Sequence, residues 1–243
     1  MLARHKRDFD PLDTERRSAN TNWMAAGTAA PARIGETAAN TRETVSISIY
    51  QLIAGSLEGP MGLHPETFLA ALGALAGYSA RWSVRAAIAE GVLDNDFHVP
   101  QGINRPHVLV SEHVNRKVHS LTGQSIASIL TTQLIQAGAS WLPDINATLQ
   151  HNFEAIDSPT YPDYTVPQKH YPDIPPQTLL LMLWEKTYRA LRAVDGGAEM
   201  APLAIAGAAA HACIVHGSKV PLPVAGQLVL ETAVAMSKLD YAL

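Results

Sequence analysis

The sequence predicts a mainly α protein, a single multi-helix domain with a small β-hairpin near residues 95–110. Apolar residues recur at alternating steps of three and four along several segments. Most of those segments open on Pro or a capping side chain, and several close on Gly. Alternation with a period of two is brief by comparison.

The chain has 243 residues, of which 47% are hydrophobic. That suits one large domain or two small ones and argues against disorder. A net charge of −4 lacks the basic footprint of a nucleic-acid binder. One cysteine, Cys213, rules out an intrachain disulfide and a multi-cysteine zinc site. The N-terminus mixes charges of both signs, unlike a secretory signal, and Asp8, Asp10, Asp13 and Glu15 count against a mitochondrial presequence. The longest apolar stretches, 68–76 and 201–215, are too short to span a bilayer and read as buried helices. The expected compartment is a bacterial-type cytoplasm.

Residues 1–40 are polar and without a clear period, and read as a flexible arm whose only large apolar pair is Trp23 and Met24. The helical domain is expected over 41–243. Thr41 or Asn40 is a candidate cap for a first helix with Val45, Ile49, Leu52 and Ile53 on one face. The run Val45 to Ile49 also alternates like a strand. Pro65 sits at the first position of the next helix. There Phe68, Leu72, Leu75, Ser79, Trp82 and Ala86 form the repeat, and Gly91 ends it. Gly73 and Gly77, four apart, would let another helix come close.

From Asp94 to Val110 the pattern changes, and the short β-prone runs 97–99 and 107–110 suggest the hairpin. Ser111 is a candidate cap for a short helix. A further helix is expected over 122–137, closed by Gly138, and another after Asp144. Residues 157–176 hold six of the 16 prolines and three of the seven tyrosines, so this stretch is extended and wraps the helical body. Leu180, Leu183, Trp184, Thr187, Leu191 and Val194 mark the next helix, with Glu185 and Arg189 paired on its polar side. An Ala-rich helix over 198–216 and a final one after Pro221 and Pro223 complete the chain.

Two stretches, GPMGLHPETFLAALGALAGYSA over 59–80 and PVAGQLVLETAVAMSKLD over 223–240, resemble parts of a family of mostly helical bacterial proteins with no assigned function. The resemblance covers the two ends of the folded region better than the middle. It implies a helical fold and a cytoplasmic bacterial origin, and carries no catalytic residue onto this chain.

Asp94, Asp96 and His98 are spaced by two, so an extended backbone points all three to one face. With His107 or His113 returning on the hairpin, they form a candidate site for a divalent metal. The plain alternative is a solvated turn leading into a strand. No EF-hand is present, because Val99 stands where Gly is needed and Arg105 where Glu is needed. His211, Cys213 and His216 spread around a helix, so Cys213 reads as a small core residue. Glu231 lies within an apolar run. Burial would raise its pKa, although Gln227, Glu231 and Lys238 also read as a narrow polar stripe. Tyr161, Tyr164 and Tyr171 are a candidate ligand wall, or else simply pack an ordered linker. No phosphate loop, dinucleotide fingerprint or catalytic signature occurs, so no cofactor beyond the possible metal is implied.

These readings favour a non-enzymatic interaction or scaffold protein that self-associates as a homo-oligomer or binds another protein. The alternatives are a metal-dependent enzyme or small-molecule binder using the Asp94/Asp96/His98 region, and a pocket beneath residues 157–176.

Overall fold

The computed structural model describes residues 31–103, 107–120, 123–159, 161–193 and 197–240, with backbone only for 31–40. The chain divides into a unit Met1–Ala38 and a unit Ala39–Leu243. The arm expected over 1–40 lies outside the described residues up to residue 30, as do Trp23 and Met24. Eight α-helices follow among the described residues: α1 Pro31–Leu57, α2 Pro65–Ala89, α3 Glu112–His119, α4 Ile126–Gln136, α5 Ile145–Ala155, α6 Pro176–Arg192, α7 Gly197–Val215 and α8 Leu222–Lys238.

The larger unit is built around α2 and α8. Both are buried on nearly every side, α2 from Pro65 to Val84 except Trp82, and α8 from Ala225 to Lys238. A helix apolar all round belongs in a core, so the single stripe read along α2 understates its burial. Close approach is set by glycine. A Cβ built on Gly73 would stand 2.6 Å from the Val229 carbonyl oxygen, and one on Gly77 would stand 2.0 Å from that of Ala233. Both contacts advance four residues in the same direction, so α2 and α8 run parallel where they touch. A parallel pair needs a long connection, and α3 to α7 supply it.

The other helices pack onto this pair through small residues or rings. Ser46 of α1 donates its hydroxyl to the Ala204 carbonyl of α7 at 2.8 Å, beside Gly207. Leu134 of α4 fits the notch at Gly226. Tyr78 and Trp82 of α2 meet Trp184 and Tyr188 of α6 edge to face, with Tyr78 and Trp184 centroids 4.7 Å apart. By length and composition α7 could cross a membrane, and more than half of it is buried inside this unit.

Local signals placed most boundaries. The Ser111, Ser125 and Asp144 side chains cap α3, α4 and α5. Gly91 and Gly138 turn away after α2 and α4 with φ of 72° and 83°. Two expectations are corrected. The first helix starts at Pro31, ten residues before the expected cap, and Thr41 lies inside it. The β-hairpin near 95–110 is not seen. His98 and Val110 exchange one pair of backbone hydrogen bonds, after which the chain turns to the end of α8, where Leu109 and Asp240 bond to Lys238 and His107. Pro100 has no N–H to extend the ladder, and burying Val108 against Leu239 takes the chain to a different partner.

Gly77→Ala is expected to lower the unfolding free energy by about 3 kcal/mol or more, because the methyl group meets rigid backbone. Gly55→Ala, in an exposed turn of α1 with nothing within 4 Å, should raise it by about 0.5–1 kcal/mol. Urea midpoints of the two variants check the contrast.

Candidate functional site

The described residues form a cleft of about 490 Å³ between α5, α8 and the extended segment. Trp141, Leu142, Val166, Pro167 and Val224 give it apolar walls. Thr148, Thr165 and Gln227 provide one polar side, and Asp144 and the half-exposed Trp141 stand at its rim.

Each wall is held by its sequence. Asp144 caps α5 by accepting from the Ala147 N–H at 3.0 Å, which sets the helix carrying Thr148. Prolines keep an α-helix from forming between α5 and α6, where the chain makes one short 3-10 helix, Gln168–His170, and its tyrosines anchor it inward. Tyr161 donates to the Ala235 carbonyl at 3.3 Å, and Tyr171 donates to the Tyr164 carbonyl at 2.9 Å. Burial pushes the Tyr164 phenol well above its usual range. The predicted ligand wall of Tyr161, Tyr164 and Tyr171 thus serves as an anchor, while the cleft is lined by the next residues along, Thr165 to Pro167.

Behind the polar side lies Glu231, with no exposed surface. Its carboxylate accepts from the Thr165 N–H at 3.1 Å, from the Thr165 hydroxyl, and from Gln227 Nε2 at 2.9 Å. Gln227 Nε2 also lies 2.9 Å from Thr148 Oγ1. Burial raises the Glu231 pKa, and the Thr165 and Gln227 hydrogen bonds offset only part of that rise. The sequence named this carboxylate, but it could not show that two cleft residues, Thr165 and Gln227, converge on it.

The metal candidates fall elsewhere. The Asp96 carboxylate accepts from the Ser111 hydroxyl at 2.5 Å and the His113 N–H at 3.1 Å, so it is spent on the start of α3. Desolvation works against its ionised form, but those hydrogen bonds prevail and hold it below the usual carboxylate range. The His98 ring bonds to the Asp96 carbonyl at 3.0 Å, Asp94 is exposed, and His107 uses its backbone carbonyl to hold Asp240. Among the described residues no three His, Cys, Asp or Glu side chains are placed to hold a metal ion.

Other charged groups read as structural. Arg81, buried in α2, meets Asp240 at 3.1 Å, Arg85 meets the same carboxylate at 2.7 Å, and Phe97 lies over both guanidinium groups. Burial lowers the Arg81 pKa to about 10. Lys238 donates to Asn115 at 3.2 Å, and burial lowers it to about 8. Glu66 holds His170 at 2.9 Å, pinning the extended segment to the start of α2. Cys213 is fully buried with its thiol pushed up to about 12, and is therefore inert at neutral pH.

A raised folded-state pKa gives Glu231 a contribution that is fully present below its unfolded pKa and is lost as pH rises through the folded value. Wild type should therefore lose stability relative to Glu231→Gln as pH rises above the ordinary carboxylate value of 4.5, as paired urea titrations would show; a difference independent of pH contradicts the buried carboxylate. No protein-family model matches the chain, and no curated protein or solved structure matches it.

Proposed function

We propose that the protein binds a small, largely apolar molecule in the cleft between α5, α8 and the extended segment. The observation that carries this reading is a cleft of about 490 Å³ with apolar walls and one polar side organised from behind by a buried carboxylate. Small-molecule sites commonly have that size and that division of labour, with apolar surface for affinity and a few polar atoms for orientation. The donors to Glu231, a backbone N–H, a hydroxyl and an amide, are all neutral, so the carboxylate serves to orient the polar side of the cleft.

N-phenyl-1-naphthylamine, a neutral fluorophore that brightens in apolar surroundings, tests this. Saturable one-to-one binding that Val224→Trp abolishes while the fold survives is the expected result. Unchanged binding by that variant would place the probe elsewhere and remove the proposal.

A second reading, the self-associating scaffold expected from the sequence, draws on the adjacent exposed pairs Leu181 with Met182 on α6 and Ile214 with Val215 at the end of α7. Sedimentation velocity separates the two. An oligomer that dissociates in Leu181→Ser/Met182→Ser supports self-association through α6; a monomer at high concentration excludes it.

A further inference from the structure

Taking the cleft as a ligand site, we infer that its ligand is a neutral molecule with an apolar body and a lactam-type edge, an N–H donor next to a carbonyl acceptor. The argument follows the direction of the hydrogen bonds on the polar side. An ionised carboxylate only accepts. Glu231 takes the Thr165 N–H, the Thr165 hydroxyl proton and one Gln227 amide proton.

The Gln227 amide therefore has one sense, since turning it over would set its carbonyl oxygen against the carboxylate. Its nitrogen carries two protons. One goes to Glu231 Oε1, and Thr148 Oγ1 at 2.9 Å takes the other. Thr165 Oγ1, at 3.3 Å, is a further neighbour of that nitrogen. The Gln227 carbonyl oxygen makes no hydrogen bond among the described residues, and it belongs to a side chain that lines the cleft. Thr148 accepts from Gln227 and keeps its own proton to give. The inner polar side of the cleft thus presents the Gln227 oxygen as an acceptor beside the Thr148 hydroxyl as a donor, amid Val166, Pro167 and Val224, with the Asp144 carboxylate at the rim.

A lactam edge satisfies both groups at once. A ligand without the N–H leaves the Gln227 oxygen stripped of water and unpaired. An anionic ligand meets that oxygen and, behind it, the Glu231 carboxylate. An ammonium has no acceptor to offer, so it leaves the Thr148 proton unpaired.

The pair 2-quinolinone and coumarin isolates the donor. Both are flat bicyclic molecules with the same carbonyl, and the ring N–H of the first is a ring oxygen in the second. Titrated by calorimetry at pH 8, 2-quinolinone should bind wild type on the order of tenfold more tightly than coumarin. Gln227→Met should bring the two within about twofold, and Val224→Trp should lose both, with circular dichroism confirming that each variant folds. Equal wild-type affinities that Val224→Trp removes would overturn the lactam inference while leaving the cleft reading intact. Binding that survives Val224→Trp, or no binding of either compound, would overturn the cleft reading and this inference with it.

Discussion

Backbone contact between α2 and α8 is the constraint on which the rest of the larger unit depends. At Gly77 the space for even one methyl group is taken by the Ala233 carbonyl, and at Gly73 by that of Val229. Helices this close leave room only for small side chains, which is why alanine and glycine fill so much of α2, α7 and α8. Larger side chains of the pair, such as Phe68, Leu72 and Leu228, lie off that line of glycine contacts and pack against the surrounding helices. There the Tyr78, Trp82, Trp184 and Tyr188 rings join α2 to α6, and Leu134 fits beside Gly226. A tight centre with a looser rim also explains where a cleft can form. It lies at the outer end of α8, where Val224 and Gln227 meet α5 and the extended segment rather than α2.

The parallel run of the two central helices shapes the whole topology. Everything between Ala89 and Leu222 has to carry the chain back to the starting end. The proline-rich stretch is part of that return, and its stiffness lets it lie along α8 with one short 3-10 helix, Gln168–His170, as its regular structure. Glu66 holds it through His170, Glu231 holds it through Thr165, and the Ala235 carbonyl holds it through Tyr161. The segment is thus tied to both members of the central pair, and its position reports on their packing.

Helices were legible wherever short-range chemistry decides them. Ser111 and Asp144 name their caps, Gly91 and Gly138 name their stops, and the Gly73/Gly77 spacing names a close contact. Choices made over long range were not legible. His98 and Val110 look like the start of a hairpin, yet Val108 finds its partner in Leu239, more than a hundred residues away, because burial there outweighs further local pairing. The metal candidates failed to assemble for a similar reason. Spacing by two aligns side chains on a strand, but Asp96 had a stronger local use, the unpaired N–H groups at the start of α3. In the segment 157–176 the tyrosines have the bulk that suits anchoring, while the cleft is lined by Thr165, Val166 and Pro167 beside them.

The buried charges differ in a way that bears on function. Arg81 is matched by Asp240, an opposite charge that offsets the loss of water and ties the end of α8 to α2. Glu231 has no ion pair of that kind; the charge of His151 acts on it only as a minor offset to burial. The donors to its carboxylate are a backbone N–H, a hydroxyl and an amide, all neutral. An apolar residue of similar size would spare the cost of burying that carboxylate, so a structural role alone leaves the choice of Glu unexplained. What a carboxylate does that an apolar residue cannot is fix the direction of its donors. Thr165 and Gln227 both line the cleft, and both are oriented by this one group. The buried charge is thus physically coupled to the polarity of a surface that a ligand can reach, and that coupling separates this site from every other buried ionisable group described in the chain.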